Sequence, residues 1–375
     1  MQNYVLTKFL DSLEDQGIPG CDCAIYYQQK PIYRHMAGYA DTEKAKPITA
    51  ETTYWLYSVT KLFTVTAVMQ LVDKGIIELD DPVYAYIPEY LNLKVKEGSE
   101  HRQAKQVMTI RHLLTMQSGL NYNITSQSIR KVTSDSNRQA STVEVIRALA
   151  EEPLDFEPGV RYQYSLSHDV LGAVIEMVSG KPFDQYLSDS IFQPLGMNDT
   201  GFDLTPEKED RMSQQFIYSP KSRTSKQTKK TNSYILTRNY KSGGAGLIST
   251  VDDCIRFLDA MCNNGTNPNG YQILSRKAID LMRSDQLSEG SKLFFDKPGY
   301  SYGLGVRTLV DKEGARSKSP IGEFGGGGAA GSYALIDVKN QLAIFYAQHV
   351  LGCEYAHQVV HPKIRNLTYE LLQLE

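Results

Sequence analysis

Apolar residues crowd one stretch of the chain above all others. Between residues 54 and 75, Leu62, Phe63, Val65, Val68, Met69, Leu71 and Val72 follow one another at helical spacing, and Lys74-Gly75 supplies a basic last turn with glycine at C′. Helical periodicity recurs over residues 109–116, 142–151, 168–179, 183–195, 250–263 and 363–374. The N-terminal residues form a further amphipathic pattern, with Tyr4, Val5, Phe9, Leu10 and Leu13 on one side. Strand patterns occupy the two ends. Residues 21–27 and 32–38 read as a hairpin across Gln28-Gln29-Lys30-Pro31. Residues 300–309 read as a strand, and 331–337 with 341–349 as a second hairpin across Val338-Lys339-Asn340.

Two stretches carry few apolar anchors. Residues 124–142 read as a surface excursion or a mobile lid. Residues 205–235 read as an exposed insertion with almost no core material, whose 220–231 tract is a solvated loop or a lid. Strands at both ends and helices between them predict an α+β architecture. One antiparallel sheet with flanking helices would be built from residues 1–90 plus 236–375, with a mainly helical insertion over 91–235. Their junction is the natural place for a pocket.

Composition narrows the function classes. The chain is 41% hydrophobic and 22% charged with formal net charge -3, which points to a globular protein with no bias toward nucleic acid. No apolar run is long enough to span a membrane. Cys21, Cys23, Cys254, Cys262 and Cys353 make neither a zinc pattern nor a disulfide framework, and Cys21 and Cys23 should share one strand face. The N-terminus has no signal-peptide pattern, so the expected location is cytoplasmic. No histidine spacing supports a metal, and His349, His357 and His361 are expected in structural roles.

The head of the apolar helix holds Ser58-Val59-Thr60-Lys61. Residues three apart share a helix face, so the hydroxyl and the amine project together. A lone serine is a poor nucleophile, and a neutral amine beside it can take its proton. Ser-x-x-Lys also arises by chance, and a serine at a helix start is ordinarily an N-cap. Such chemistry further needs a second proton-transfer group and a pair of N–H donors for an oxyanion. Tyr164 is a candidate for the first. The run Gly325-Gly326-Gly327-Gly328-Ala329-Ala330-Gly331 is a candidate for the second, since bare backbone lets a substrate approach closely. His168, four residues after Tyr164, is expected at the surface of a helix start.

Across nearly the whole chain these segments resemble the class C β-lactamase family, which includes DD-peptidases, family VIII esterases and statin-side-chain acyltransferases. YSVTKLFTVTAVMQLVDKGIIELDDPVYAYIPEY is similar to its nucleophile helix and TIRHLLTMQSGL to its helical-domain signature. The stretch from PGVRYQYSLSHDVLG onward resembles its tyrosine region, and SGGAGLISTVDDCIRFL with FGGGGAAGSYALID its C-terminal segments. The resemblance implies a β-lactamase/transpeptidase-like fold and no cofactor. It implies Ser58 as nucleophile, Lys61 as base or proton shuttle, and Tyr164 as the group that passes protons to the leaving group. Lys61 and Tyr164 both stand as candidate bases. The oxyanion hole would be the N–H groups of Ser58 and Ala329, with Gln117 facing the acyl carbonyl.

Two departures bear on the substrate. Leu166 replaces the amide of the family's Tyr-x-Asn motif. Gly326-Gly327-Gly328 replaces a motif that usually opens with Lys, His or Trp, so a cation that would pair with a lactam carboxylate is missing. Loss of such a contact costs on the order of 1.5–3 kcal/mol. A small ester or amide therefore suits the site better than a lactam. The expected activity is that of a carboxylesterase or acyltransferase, with a D-amino-acid peptidase, a weak β-lactamase or a silent binding protein as alternatives.

Overall fold

The computed structural model describes residues 2–374. Its centre is an eight-stranded antiparallel sheet. The strands are β1 (Gly20–Tyr27), β2 (Lys30–Asp41), β3 (Lys46–Pro47), β4 (Tyr300–Tyr302), β5 (Arg307–Leu309), β6 (Phe324–Gly327), β7 (Tyr333–Asp337) and β8 (Leu342–Ala347). They run in the order β4-β5-β6-β7-β8-β1-β2-β3. The two ends of the chain thus meet where β1 pairs with β8, Ala24 opposite Phe345.

Period-two alternation divides the sheet between two cores. Cys21, Cys23 and Ile25 of β1 and Ile344 of β8 face helices α1 (Gln2–Asp11) and, at the C-terminus, His361–Leu372, with Leu6, Leu10, Ile364 and Tyr369 buried among them. The shared face of Cys21 and Cys23 is as the alternation predicts. Ala24, Ala343 and Phe345 face the larger core, which also holds α2 (Thr60–Asp73), α3 (Ser167–Ser179) and α4 (Val251–Cys262). All of α2 from Thr60 to Leu71 is buried, and Phe63 stacks on Phe257 at 4.2 Å between ring centroids.

Two expectations need correction. Residues 300–309 are not one strand. Gly305, at φ 71°, turns the chain between β4 and β5, which pair with each other. The 205–235 segment is not an exposed insertion without core material. Gln215–Ser219 pairs with Thr224–Thr228 and, in parallel, with Val350–Leu351. Phe216 and Tyr218 are buried while Ile217 faces out. The alternation is there, but only three side chains long, and lysines and threonines on either side hide it. Residues 124–142 include the helix Gln127–Asp135, anchored by buried Ile129.

His349 sits in the core with its ring 5.9–6.4 Å from Tyr54, Trp55 and Tyr57, and its Nδ1–H donates to Ser213 O at 2.8 Å. Burial pushes its pKa down to about 4. The unfolded chain takes up a proton near pH 6.5 that the folded one refuses. Stability from this group is complete above pH 6.5 and is lost as pH falls toward 4. Thermal melts should therefore show a lower Tm at pH 5 than at pH 7.5, and the drop should shrink in His349→Asn.

Candidate active site

The site forms where α2 begins. Tyr57–Val59 makes a single 3₁₀ turn that runs directly into α2. Tyr57 has φ 48°, in the left-handed region that a bulky residue rarely adopts. Tertiary contacts hold it there. Its ring lies edge-on to Tyr234 at 6.1 Å, and its hydroxyl bonds Gln215, both from the segment that the sequence suggested was an exposed insertion. This kink turns Ser58 into a cavity of about 590 Å³.

Ser58, Lys61 and Tyr164 meet at the base of that cavity. Lys61 Nζ lies 3.2 Å from Ser58 Oγ, and Tyr164 Oη lies 2.7 Å from the same atom. Lys61 is 3% exposed. A buried amine needs partners, and it donates to Gly244 O at 2.8 Å and approaches Tyr122 Oη at 3.5 Å. It also stands 4.6 Å from the centroid of the Tyr164 ring, which stacks on Tyr122 at 5.5 Å with an 8° interplanar angle.

Behind Gly244 lies Asp169, fully buried on α3. Its Oδ1 accepts from Tyr240 Oη at 2.8 Å and Ser242 Oγ at 2.6 Å. Burial raises its pKa, while Ser242 and then the Lys61 charge pull the other way. Burial, with Asp169 nearby, raises the Tyr122 phenol well above its usual range. A Cβ on Gly244 would stand 2.6 Å from Asp169 Oδ2 and 3.4 Å from Lys61 Nζ. Only glycine fits between the carboxylate and the amine.

The glycine strand β6 forms the opposite wall. Gly325, Gly326, Gly327, Gly328 and Ala329 all line the cavity. A Cβ on Gly326 would meet nothing within 4 Å, so this position opens onto free space. At Gly328 it would fall 2.3 Å from both Leu56 O and Ser332 Oγ. That close approach seats the strand against the residue two before Ser58, and Ser332 Oγ donates to Leu56 O at 3.1 Å. The N–H groups of Ser58 and Ala329 border the cavity without an acceptor among the described residues.

Two expected site residues are placed elsewhere. Gln117 turns inward, Nε2 donating to Ser291 Oγ at 2.8 Å, and lines no part of the cavity. Leu166 is 3% exposed and joins the larger core, as burial of its apolar side chain favours. His168 is not at the surface. It is wholly buried, and desolvation, then the Lys61 charge, pushes its pKa well below the usual histidine range. His357 and His361 border the cavity, and His361 has the expected structural contacts, its ring stacked on Tyr333 at 4.6 Å and its Nε2 bonded to Gly331 O at 3.0 Å. Tyr122 and Tyr234 also line it and escaped the sequence reading. Tyr122 follows the Gln117-Ser118-Gly119-Leu120 signal by two residues, whereas nothing in the polar stretch around Tyr234 marks it. Among the described residues no cluster of His, Cys, Asp or Glu could hold a metal ion.

Comparison with known proteins shows the chain's family and fold. The profile of the family described as Beta-lactamase matches residues 6–354. Esterase EstB of Burkholderia gladioli is 31% identical over 348 residues, covering 88% of this chain and 86% of that one. The structure titled EstCE1, a hydrolase with promiscuous acyltransferase activity, superposes with a TM-score of 0.83 at 24% identity, covering 98% of both chains. Simvastatin synthase (LovD) from Aspergillus terreus superposes with a TM-score of 0.83 at 20% identity, covering 99% of both chains. These structures share the β-lactamase/transpeptidase-like fold. The serine, lysine and tyrosine that converge on one cavity are therefore part of a chain that belongs to the beta-lactamase family.

Proposed function

We propose that the protein is a serine hydrolase that forms an acyl-enzyme on Ser58, acting as a carboxylesterase that can also pass the acyl group to an alcohol. The observation that carries this reading is the convergence of Lys61 Nζ and Tyr164 Oη on Ser58 Oγ, at 3.2 and 2.7 Å, in a cavity bordered by two N–H groups that have no acceptor among the described residues. EstB supports it as a relative named an esterase over most of the chain.

The chemistry follows from the geometry. Ser58 Oγ attacks the carbonyl carbon of an ester and gives up its proton within the Lys61–Tyr164 pair. The carbonyl oxygen, now negative, is received by the N–H groups of Ser58 and Ala329. The tetrahedral adduct collapses, the alkoxide leaves, and Tyr164, 40% exposed toward the cavity, hands it a proton. Water or a second alcohol then attacks the acyl-enzyme as the same groups act in reverse. The wall of Tyr122, Ile124, Tyr162, Tyr234 and Phe295 suits an apolar or aromatic acyl ester. The amide absent at Leu166 is replaced in its hold on Lys61 by the Gly244 carbonyl and the Tyr122 hydroxyl.

A fluorophosphonate probe should add one label per chain at Ser58, read by intact mass, and hydrolysis of short p-nitrophenyl esters should vanish in Ser58→Ala. Labelling elsewhere, with activity surviving that substitution, would refute the reading. Tyr164→Phe keeps the ring over Lys61 but removes the proton carrier, so steady-state kinetics should show kcat lower by about 10²–10⁴ with KM little changed. Gly328→Ala forces β6 away from Leu56, a strain on the order of 1–3 kcal/mol. It should lower both Tm and kcat, measured by calorimetry and ester turnover.

A further inference from the structure

The charge on the cavity wall is one-sided. Lys61, Lys297 and Arg307 line it together with His357 and His361, which burial keeps uncharged, and no aspartate or glutamate does. Past β6 lies a second chamber of about 420 Å³ that shares Lys297, Arg307, His357 and His361 with the first and adds Arg316 and Arg365. The two abut at these shared residues beside Gly327, where a Cβ would meet Ser332 O at 3.2 Å and His357 Nδ1 at 3.6 Å, so only the missing side chain keeps the boundary from closing further.

The cations of this chamber are only partly compensated. Arg307 bonds Glu323 at 3.3 Å and stacks on Tyr300 at 4.4 Å, yet its buried Nε has no partner among the described residues. Arg365 is 3% exposed and donates to Tyr300 Oη at 2.6 Å and to the carbonyls of Ala315 and Arg316, with no carboxylate in contact. The side chains of Lys297 and Arg316 make no ion pair or hydrogen bond among the described residues, although the Arg316 carbonyl accepts from Arg365 and Asn366. Asp296 at the wall, Glu323 behind Arg307 and Asp311, whose carboxylate lies beside the wall residue Gly314, are the nearest acids. Four cations, Lys297, Arg307, Arg316 and Arg365, therefore outnumber three carboxylates. The groups repel one another: desolvation first, then Lys297 and Arg307, pushes His357 down to about 4, and desolvation and Arg307 depress the Lys297 amine.

A cleft of one sign with low-dielectric walls concentrates counter-ions. Guanidinium and ammonium donors grouped in this way suit the several acceptor oxygens of a phosphate better than a single carboxylate. We propose that the second chamber seats a phosphate group carried by the substrate, on the part that projects past Gly327 from Ser58. The aromatic wall would hold the apolar middle of the same molecule. This names the substrate class for the serine hydrolase proposed above, and rests on that reading only for turnover.

Binding can be measured without turnover. Phenyl phosphate, benzoate and benzyl alcohol are titrated calorimetrically into Ser58→Ala protein. Phenyl phosphate is expected to bind about tenfold tighter than benzoate, with benzyl alcohol weakest. Adding Lys297→Met or Arg316→Gln, both at exposed positions, should weaken phenyl phosphate about fivefold each, and 0.5 M salt should weaken it further. Equal binding of the three compounds, tighter binding of benzoate, or phosphate binding unmoved by both substitutions overturns the proposal. A parallel assay separates the two readings. If the parent hydrolyses neutral p-nitrophenyl butyrate but phenyl phosphate does not compete, the hydrolase stands and the phosphate chamber falls. If phenyl phosphate binds and no ester is turned over, the chamber stands and the hydrolase falls.

Discussion

A buried amine is the constraint on which the site turns. Lys61 lies in a helix with no solvent-facing side over its first three turns, so its Nζ must find partners inside the protein. It finds the Gly244 carbonyl, Ser58 Oγ and the Tyr122 hydroxyl. Each partner comes from a different part of the chain. Gly244 can be only glycine, because Asp169 presses on it from behind. Asp169 in turn is held by Tyr240 and Ser242, the residues that lead into Gly244. One lysine head group thus ties α2 to α3 and to the loop that precedes α4.

The second constraint is the distance between two backbones. β6 comes close enough to Leu56 that Gly328 admits no side chain, and the Ser332 hydroxyl fastens the contact. That approach places Ala329 and Ser58 on the wall of one cavity. The sheet makes it possible, since β6 is held by β5 on one side and β7 on the other. Rigid pairing on both sides positions donors more precisely than a loop could, which matters where an oxyanion must be met without reorganisation.

Charge is distributed to match. The acids near the serine are turned away from the cavity, Asp169 toward Tyr240 and Ser242, and Glu323 toward Arg307, Tyr300 and Ser319. The cavity is left with cations and aromatic rings. The glycines that took the place of a charged or aromatic side chain in the third motif did not make the pocket neutral, because Lys297 and Arg307 reach it from other elements.

Much of this was legible in the order of residues. The α2 helix, the β1–β2 and β7–β8 hairpins, the α4 helix and the trio of Ser58, Lys61 and Tyr164 all follow from local periodicity or from motif order, which depend on neighbours in sequence. What failed depended on neighbours in space. Gln117 had a buried partner in Ser291, 174 positions away, and left the cavity. His168 looked like a surface histidine because a helix start usually is one, yet packing against α2 buried it. Tyr234 came from a stretch whose short alternation was masked by lysines and threonines, and only pairing with residues 350–351 gave that stretch its place. The sequence by itself determined the fold class and marked Ser58, Lys61 and Tyr164 as the candidate trio. Tertiary structure alone decided which carbonyl holds the lysine, which rings and cations wall the cavity, and where the glycine strand opens. Those outcomes depend on packing and long-range hydrogen bonds, which no local pattern encodes.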